Sequence, residues 1–159
     1  DGIDGIGSLD LQGIELNPST LETLQLPDVS ALQLSEAGFE RPPRLSSKYL
    51  PGLESLDLSQ TVADDSSLAS LASMHNLPVL KARNTAVESF DSTHFPTSLH
   101  HLDLSQTAVD GAALAALPTM PRLTHLILNE TRVDHVDAIT PDRFPALRHL
   151  ELIDSQLPN

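Results

Sequence analysis

The stretch "SLHHLDLSQTAV", residues 98–109, holds the side chains of an acyl-transfer site within a few positions of each other. His101 is a candidate base, Asp103 a candidate orienting acid and Ser105 a candidate nucleophile, spaced at every second residue. Hydrolysis through an acyl-enzyme would need the hydroxyl on the imidazole and the imidazole on the carboxylate. If the stretch is a strand, residues i and i+2 lie ~6.6 Å apart, well beyond the ~2.6–3.2 Å contact that proton transfer requires. No glycine-rich turn stands nearby to supply an oxyanion hole. A second chemistry is metal binding, because His101, His125 and His149 recur at equal intervals with Asp103 and Glu151 two residues on from the first and last. Zinc needs ligands that converge on one point, whereas the same position on adjacent parallel strands points one way. These residues predict no catalytic group, no metal site and no cofactor.

What places them is a repeat. Seven segments read apolar-x-x-apolar-x-apolar: Ile6/Leu9/Leu11, Val29/Leu32/Leu34, Leu53/Leu56/Leu58, Leu77/Leu80/Ala82, Leu99/Leu102/Leu104, Leu123/Leu126/Leu128 and Leu147/Leu150/Leu152. Their starts are 23, 24, 24, 22, 24 and 24 residues apart. Three residues after each segment stand Ile14, Ala37, Thr61, Thr85, Thr107, Thr131 and Ser155, and two further on an apolar residue returns every time, from Leu16 to Leu157. One short strand cannot bury three leucines on its own. Parallel strands stacked ~4.8 Å apart bury them as a continuous core. The connecting segments carry Leu21/Leu24, Leu68/Leu71 and Leu114/Leu117, each pair at helical spacing. Asp64 and Asp110 stand where an N-cap would open two of these turns. "ERPPRLSSKYLPG" and "ESFDSTHFPTS", with their prolines and Phe90 and Phe95, predict irregular returns instead.

A fixed period of this length with L-x-x-L-x-L resembles the leucine-rich repeat. The resemblance implies an α/β solenoid, a horseshoe with one parallel sheet on its concave side and short helical or irregular segments on its convex side. Residues 1–5 are read as a lead-in and 6–159 as a single repeat domain. The family usually places Asn where this chain has Thr in four repeats. A buried hydroxyl can serve the same backbone groups, so "SQT", "RNT", "SQT" and "NET" read as structural punctuation. The glycosylation sequon Asn129-Glu130-Thr131 falls in that column and is read as coincidental. Repeats with this Thr look like those of some bacterial and protist proteins, effectors of pathogens among them.

Composition narrows the partners. The 159 residues hold 22 Asp and Glu against 9 Lys and Arg, a net charge of -13. An acidic surface repels phosphate backbones and anionic lipid surfaces, so neither nucleic acid nor membrane is expected as a partner. Asp1 to Glu40 contains eight acids and no Lys or Arg. The chain has no cysteine, which excludes disulfides, thiolate metal sites and cysteine nucleophiles. No apolar run approaches the ~18 residues of a membrane helix, so a soluble protein, cytoplasmic or a secreted effector, is expected. The chain begins at Asp1 and stops inside the seventh repeat, which leads us to expect part of a longer protein with other domains.

In the family the residues between the strand leucines face the concave surface, where partners bind. The period-2 pleat gives alternate residues the same direction. One outward column then reads Ser8, Ala31, Ser55, Val79, His101, His125, His149, the next Asp10, Gln33, Asp57, Lys81, Asp103, Ile127, Glu151, and a third Gln12, Ser35, Ser59, Arg83, Ser105, Asn129, Ile153. The expected binding residues are His101, His125, His149, Asp57, Lys81, Arg83, Asp103, Ile127 and Glu151. Asp57, Lys81 and Asp103 alternate in sign and are expected to form cross-strand ion pairs worth about 0.2–1 kcal/mol each. The leading reading is a non-enzymatic protein-interaction module with a polar, His-rich strip. Two others stay open: the target-recognition domain of a larger enzyme or pathogen effector, for example of ubiquitin-ligase type, and a structural subunit of a large assembly.

Overall fold

The structure is a computed structural model that describes residues 5–23 and 25–158, apart from the side chain of Glu22. Most of the lead-in and Leu24 lie outside the described residues. Seven short strands form one parallel sheet in chain order: β1 (Ser8–Asp10), β3 (Ala31–Gln33), β5 (Ser55–Asp57), β6 (Val79–Lys81), β7 (His101–Asp103), β8 (His125–Ile127) and β9 (His149–Glu151). A two-stranded parallel ladder joins β2 (Glu15–Leu16) to β4 (Gly38–Phe39). The returns carry α1 (Pro18–Thr23), α2 (Asp65–Ser70) followed by a 3-10 turn at Leu71–Ser73, and α3 (Gly111–Ala116).

The register follows from the leucines. The central residues pair Leu9 with Leu32, then Leu56, Leu80, Leu102, Leu126 and Leu150. From Leu32 to Leu126 that column is wholly buried, together with Leu34, Leu58, Leu104 and Leu128 from the end of each segment. A one-residue slip at any strand would turn its leucine out and a polar neighbour in. On the last strand the column reaches solvent, and Leu150 is 37% exposed.

Both expected N-caps form. Asp64 Oδ1 accepts from the Ser66 and Ser67 amides at 2.9 and 3.1 Å, and Asp110 Oδ1 accepts from Ala113 N at 2.8 Å. α3 ends on a neighbour: the Arg143 guanidinium donates to the Ala115 carbonyl at 3.1 Å and also to that of Leu117. The two proline- and phenylalanine-containing returns are irregular. Phe90 and Phe95 fill one of them edge to face, with ring centroids 5.2 Å apart.

The threonine column works more locally than expected. Thr61, Thr85, Thr107 and Thr131 each donate to the carbonyl three residues back, at 2.6, 2.8, 2.7 and 2.7 Å, inside their own turn. The turns are tied to one another by the backbone of the preceding residue. Gln60 N bonds Arg83 O, Asn84 N bonds Ser105 O, Gln106 N bonds Asn129 O and Glu130 N bonds Ile153 O, all at 2.7–2.8 Å. That residue is left-handed in every turn: φ is 68° at Gly13, 59° at Glu36, 57° at Gln60, 51° at Asn84, 58° at Gln106, 56° at Glu130 and 55° at Asp154. Only the first is a glycine, so six turns hold a side chain in a conformation that ordinarily costs about 1–2 kcal/mol.

Candidate functional site

The opening cluster resolves into a turn. Ser105 is 1% exposed, and its Oγ donates to Asp103 Oδ1 at 2.7 Å while its amide donates to the same oxygen at 2.9 Å. Asp57 does the same for the Ser59 amide at 2.9 Å, and Asp10 for the Gln12 amide at 3.0 Å. The aspartate thus closes the bend after the strand, and the serine hydroxyl has no bond to His101. Ser59 and Ser105 are buried, against the outward direction expected for their column. The strands are three residues long, so the pleat alternation ends at Asp57 and Asp103, and the next residue turns inward.

His101, His125 and His149 do form a column. They pair in register on β7, β8 and β9, with ring centroids 5.7 and 5.3 Å apart and planes tilted by 31° and 40°. The rings lie side by side rather than around a point. Among the described residues, no group of three His, Cys, Asp or Glu side chains is arranged to hold a metal ion. Thr124 Oγ1 lies 2.9 Å from both the His100 carbonyl and His125 Nδ1. A hydroxyl has one proton, so with that proton on the carbonyl, Nδ1 of His125 is the donor and its Nε2 is turned to the surface. His149 Nε2 meets Glu151 Oε1 at 2.6 Å. That bond, and a second from Asn129 Nδ2 at 2.8 Å, hold the Glu151 carboxyl below its ordinary pKa. Burial, ahead of any charge, pushes the His101 imidazole down; Asp103 opposes this, while His125, Lys81 and His149 add to it.

The remaining expected residues flank the strip. Asp57, Lys81, Asp103, Ile127 and Glu151 end their strands in one register column. The expected ion pairs do not form: no bond among the described residues joins Lys81 to Asp57 or Asp103. The two carboxylates are committed to the Ser59 and Ser105 amides, which leaves the ammonium in solvent. Arg83 lies beyond the strand, where Nε donates to Gln106 Oε1 at 3.1 Å and Nη2 sits 3.7 Å from Glu130. Gln106 donates on to Glu130 at 2.8 Å, so a polar ladder runs along the left-handed turn residues beside the sheet. Asn129, the sequon residue, donates to Glu151 and accepts from Ile153 N at 2.8 Å, and Thr131 is 3% exposed. Both functions of the amide are therefore in structural use.

Sequence reasoning missed the residue just before each strand. His100, Thr124 and Arg148 form a column of their own, linked by Thr124 N to His100 O at 2.9 Å and Arg148 N to Thr124 O at 3.0 Å. The signal was the first histidine of "HH", which the alternation rule left without a face. An Asp–His–hydroxyl cluster was also missed. Asp91 Oδ2 and Thr93 Oγ1 both contact His94 Nδ1, at 2.7 and 2.8 Å. A triad needs the acid and the nucleophile on opposite ring nitrogens, so this is a turn clamp. Bonds from Thr93 and His94 lower the Asp91 pKa to about 2.

No helix among the described residues is long and apolar enough to cross a membrane. No protein-family model matches the chain, and no curated protein matches it. Solved structures do. Internalin C2 of Listeria monocytogenes superposes with a TM-score of 0.66 at 19% identity, covering 98% of this chain and 75% of that one. The internalin inlF of the same organism gives 0.50 at 15% identity, over 96% of this chain and 55% of that one. Both are leucine-rich-repeat proteins, and likeness at this identity speaks to the fold. With the single parallel sheet, its leucine register and the repeated turns, this chain has the leucine-rich-repeat fold.

Proposed function

We propose that the chain is a non-enzymatic protein-interaction module whose contact surface is the open face of the seven-stranded sheet, centred on His101, His125 and His149 and flanked by Asp57, Lys81, Arg83, Asp103, Ile127 and Glu151. The observation that carries this reading is the in-register histidine column. Three imidazoles on adjacent strands stand off the face opposite the leucine core, and two are oriented by bonds at one nitrogen. A purely structural surface has no need of side chains so fixed. The fold supports the reading because an unbroken parallel sheet with one buried face offers the other as a broad rigid platform. Aromatic residues are scarce, so the energy of contact rests on hydrogen bonds and charge more than on aromatic anchors.

The test compares affinity capture by the wild-type chain, by the triple variant His101→Ser/His125→Ser/His149→Ser, and by a control variant on the return segments, Asp137→Ser. Proteins retained by the wild type and the control but lost by the triple variant, with melting unchanged, support the open face. Equal retention by all three overturns it.

A further inference from the structure

A second surface adjoins the strip, at the rim where the chain enters the strands. Glu54, His75, Ser98, His100 and Arg122 line a recess of about 260 Å³ that spans four successive repeats. His75, Ser98 and Arg122 also line an adjoining recess of about 290 Å³. Each is below the ~300–1,000 Å³ of a small-molecule site, and both are open, as suits single side chains of a polypeptide rather than a cofactor. Ser98 Oγ is committed to the Met74 and Leu77 carbonyls at 3.1 and 3.0 Å, which pins the turn that carries His75. The basic side chains are not committed. Among the described residues the guanidinium groups of Arg122 and Arg148 and the imidazoles of His75 and His100 make no hydrogen bond or ion pair. Arg44, Lys81 and Arg132 make none either, but at this rim two guanidinium groups and two imidazoles fall on neighbouring repeat positions, with Glu54 the single acid among the lining residues.

We infer that this rim is a docking surface for an acidic polypeptide segment, whose carboxylates meet Arg122, His100, His75 and Arg148. The inference rests on the interaction reading above but uses a different set of residues. Arg122 supplies the fixed charge and a planar donor pair that fits a carboxylate. Each imidazole supplies at least one N–H in either protonation state. Successive rim positions are ~4.8 Å apart, so His100 and Arg148 lie about 9.6 Å apart, which matches carboxylates three residues apart on a polyproline-II segment, whose three residues per turn at ~3.1 Å rise return side chains to one face. Glu54 closes one end of the recess to further negative charge and sets the limit of the segment. The acid-rich first forty residues repel such a segment from the opposite end of the solenoid, which fixes where along the sheet it sits. A polyphosphate chain carries denser charge and is opposed more strongly by the same acids.

The probe is a fluorescein-labelled ten-residue peptide rich in Asp and Glu, titrated by anisotropy at neutral pH and about 0.15 M salt against the whole chain. A neutral peptide of the same length and a single-stranded DNA of the same charge serve as comparisons. The acidic peptide is expected to bind, the neutral one not, and the DNA more weakly. The rim variant His75→Ser/His100→Ser/Arg122→Ser should lose at least roughly tenfold in affinity, and the strip variant of the preceding section less than about threefold. Should the rim variant melt early, the His75 and His100 imidazole NMR signals of the unaltered chain provide the second readout, and peptide-induced shifts at both are expected. Peptide binding that survives the rim substitutions, or no binding and no imidazole shifts, overturns the inference and leaves the open-face reading standing. DNA binding as tightly as the peptide overturns it in favour of nucleic acid. Loss of peptide binding in the strip variant alone would transfer the acidic segment to the open face and likewise overturn the rim.

Discussion

Ser105 gives both its hydroxyl and its amide to one oxygen of Asp103, at 2.7 and 2.9 Å, and is thereby removed from any nucleophilic role. The pair stabilises the bend that ends β7. Asp103→Ala leaves a buried hydroxyl and amide without their acceptor and should destabilise the chain by about 1–3 kcal/mol. Asp103→Asn keeps an acceptor oxygen at the same place and should lose less than half as much. Urea unfolding of the two variants checks this, and equal losses would mean that charge rather than the turn bond is what matters.

The left-handed turn residues make a second claim on stability. Gln60 has φ of 57° and its side chain bonds to none of the described residues, so it only adds strain there. Gln60→Gly removes the Cβ clash but loosens the unfolded chain, and the two effects should cancel to within about 0.5 kcal/mol. Gln60→Val places a β-branched residue where such residues are outliers and should destabilise by more than about 1 kcal/mol. Thermal melts that rank valine equal to glycine would show that the turn relaxes out of the left-handed region.

The repeat made much of this molecule legible in advance. Leucine spacing specified the strand register from Leu32 to Leu126, and Asp64 and Asp110 marked two helix starts, because both signals act within a few residues. What failed was range. The alternation rule was carried one residue past a three-residue strand, so Ser59 and Ser105 were turned outward when they are buried. The same rule paired Lys81 with Asp57 and Asp103, since a column of residue types does not show that both carboxylates already hold backbone amides. The rim passed unseen because only the strand columns were given a face, whereas Arg122 and Ser98 stand one residue before the first leucine of their repeats and His75 two before. Only the fold brings them to one recess.

Protonation of the strip has a defined direction. Burial holds the His101 imidazole below its ordinary value of 6.5. Below that value the unfolded chain takes up the proton first, so stability falls as pH drops from 6.5 through the lowered folded value. His101→Ser should therefore lose less stability than the wild type on going from about pH 7.5 to 5.5. Glu151 acts in a separate, more acidic window. Its depressed pKa stabilises the fold above the ordinary carboxyl value of 4.5, and that contribution is lost as pH falls through the folded value. Melting temperatures across the pH range, with an NMR titration of the imidazoles, read both. A His101 titrating at or above 6.5 would contradict the burial argument.

Arg143 binds neighbouring repeats as a helix cap. Besides Ala115 and Leu117, its guanidinium reaches the carbonyls of Ala138 at 3.0 Å and Leu114 at 3.4 Å. The last carbonyls of a helix carry partial negative charge and have no partner within it. Arg143→Ala should destabilise by about 1.5–3 kcal/mol, the range for hydrogen bonds to a charged group. Arg143→Lys should restore less than half, since a single ammonium cannot fork across several carbonyls. Hydrogen exchange of the α3 amides should quicken in both variants, and unaltered exchange with unaltered melting would show that water caps the helix equally well.

Leu126 and Leu150 occupy the same column on adjacent strands, yet the first is wholly buried and the second is 37% exposed. Leu126 is covered from β7 on one side and β9 on the other, whereas among the described residues Leu150 is covered from β8 alone. A charge at Leu126 would have no route to water. Leu126→Asp should destabilise by more than about 4 kcal/mol and unfold the repeats on both sides of it. At Leu150 the carboxylate can turn to solvent, and Leu150→Asp should lose about 1–2 kcal/mol, chiefly the burial of part of one leucine. In a solenoid, where each repeat touches only its neighbours, the second change should stay local. Circular dichroism melts give the magnitudes, and hydrogen exchange along the sheet gives the reach. Equal losses at the two positions would show that a leucine's place in the stack is not what fixes its contribution, and the account of this core as leucines buried by their neighbouring turns would have to be abandoned.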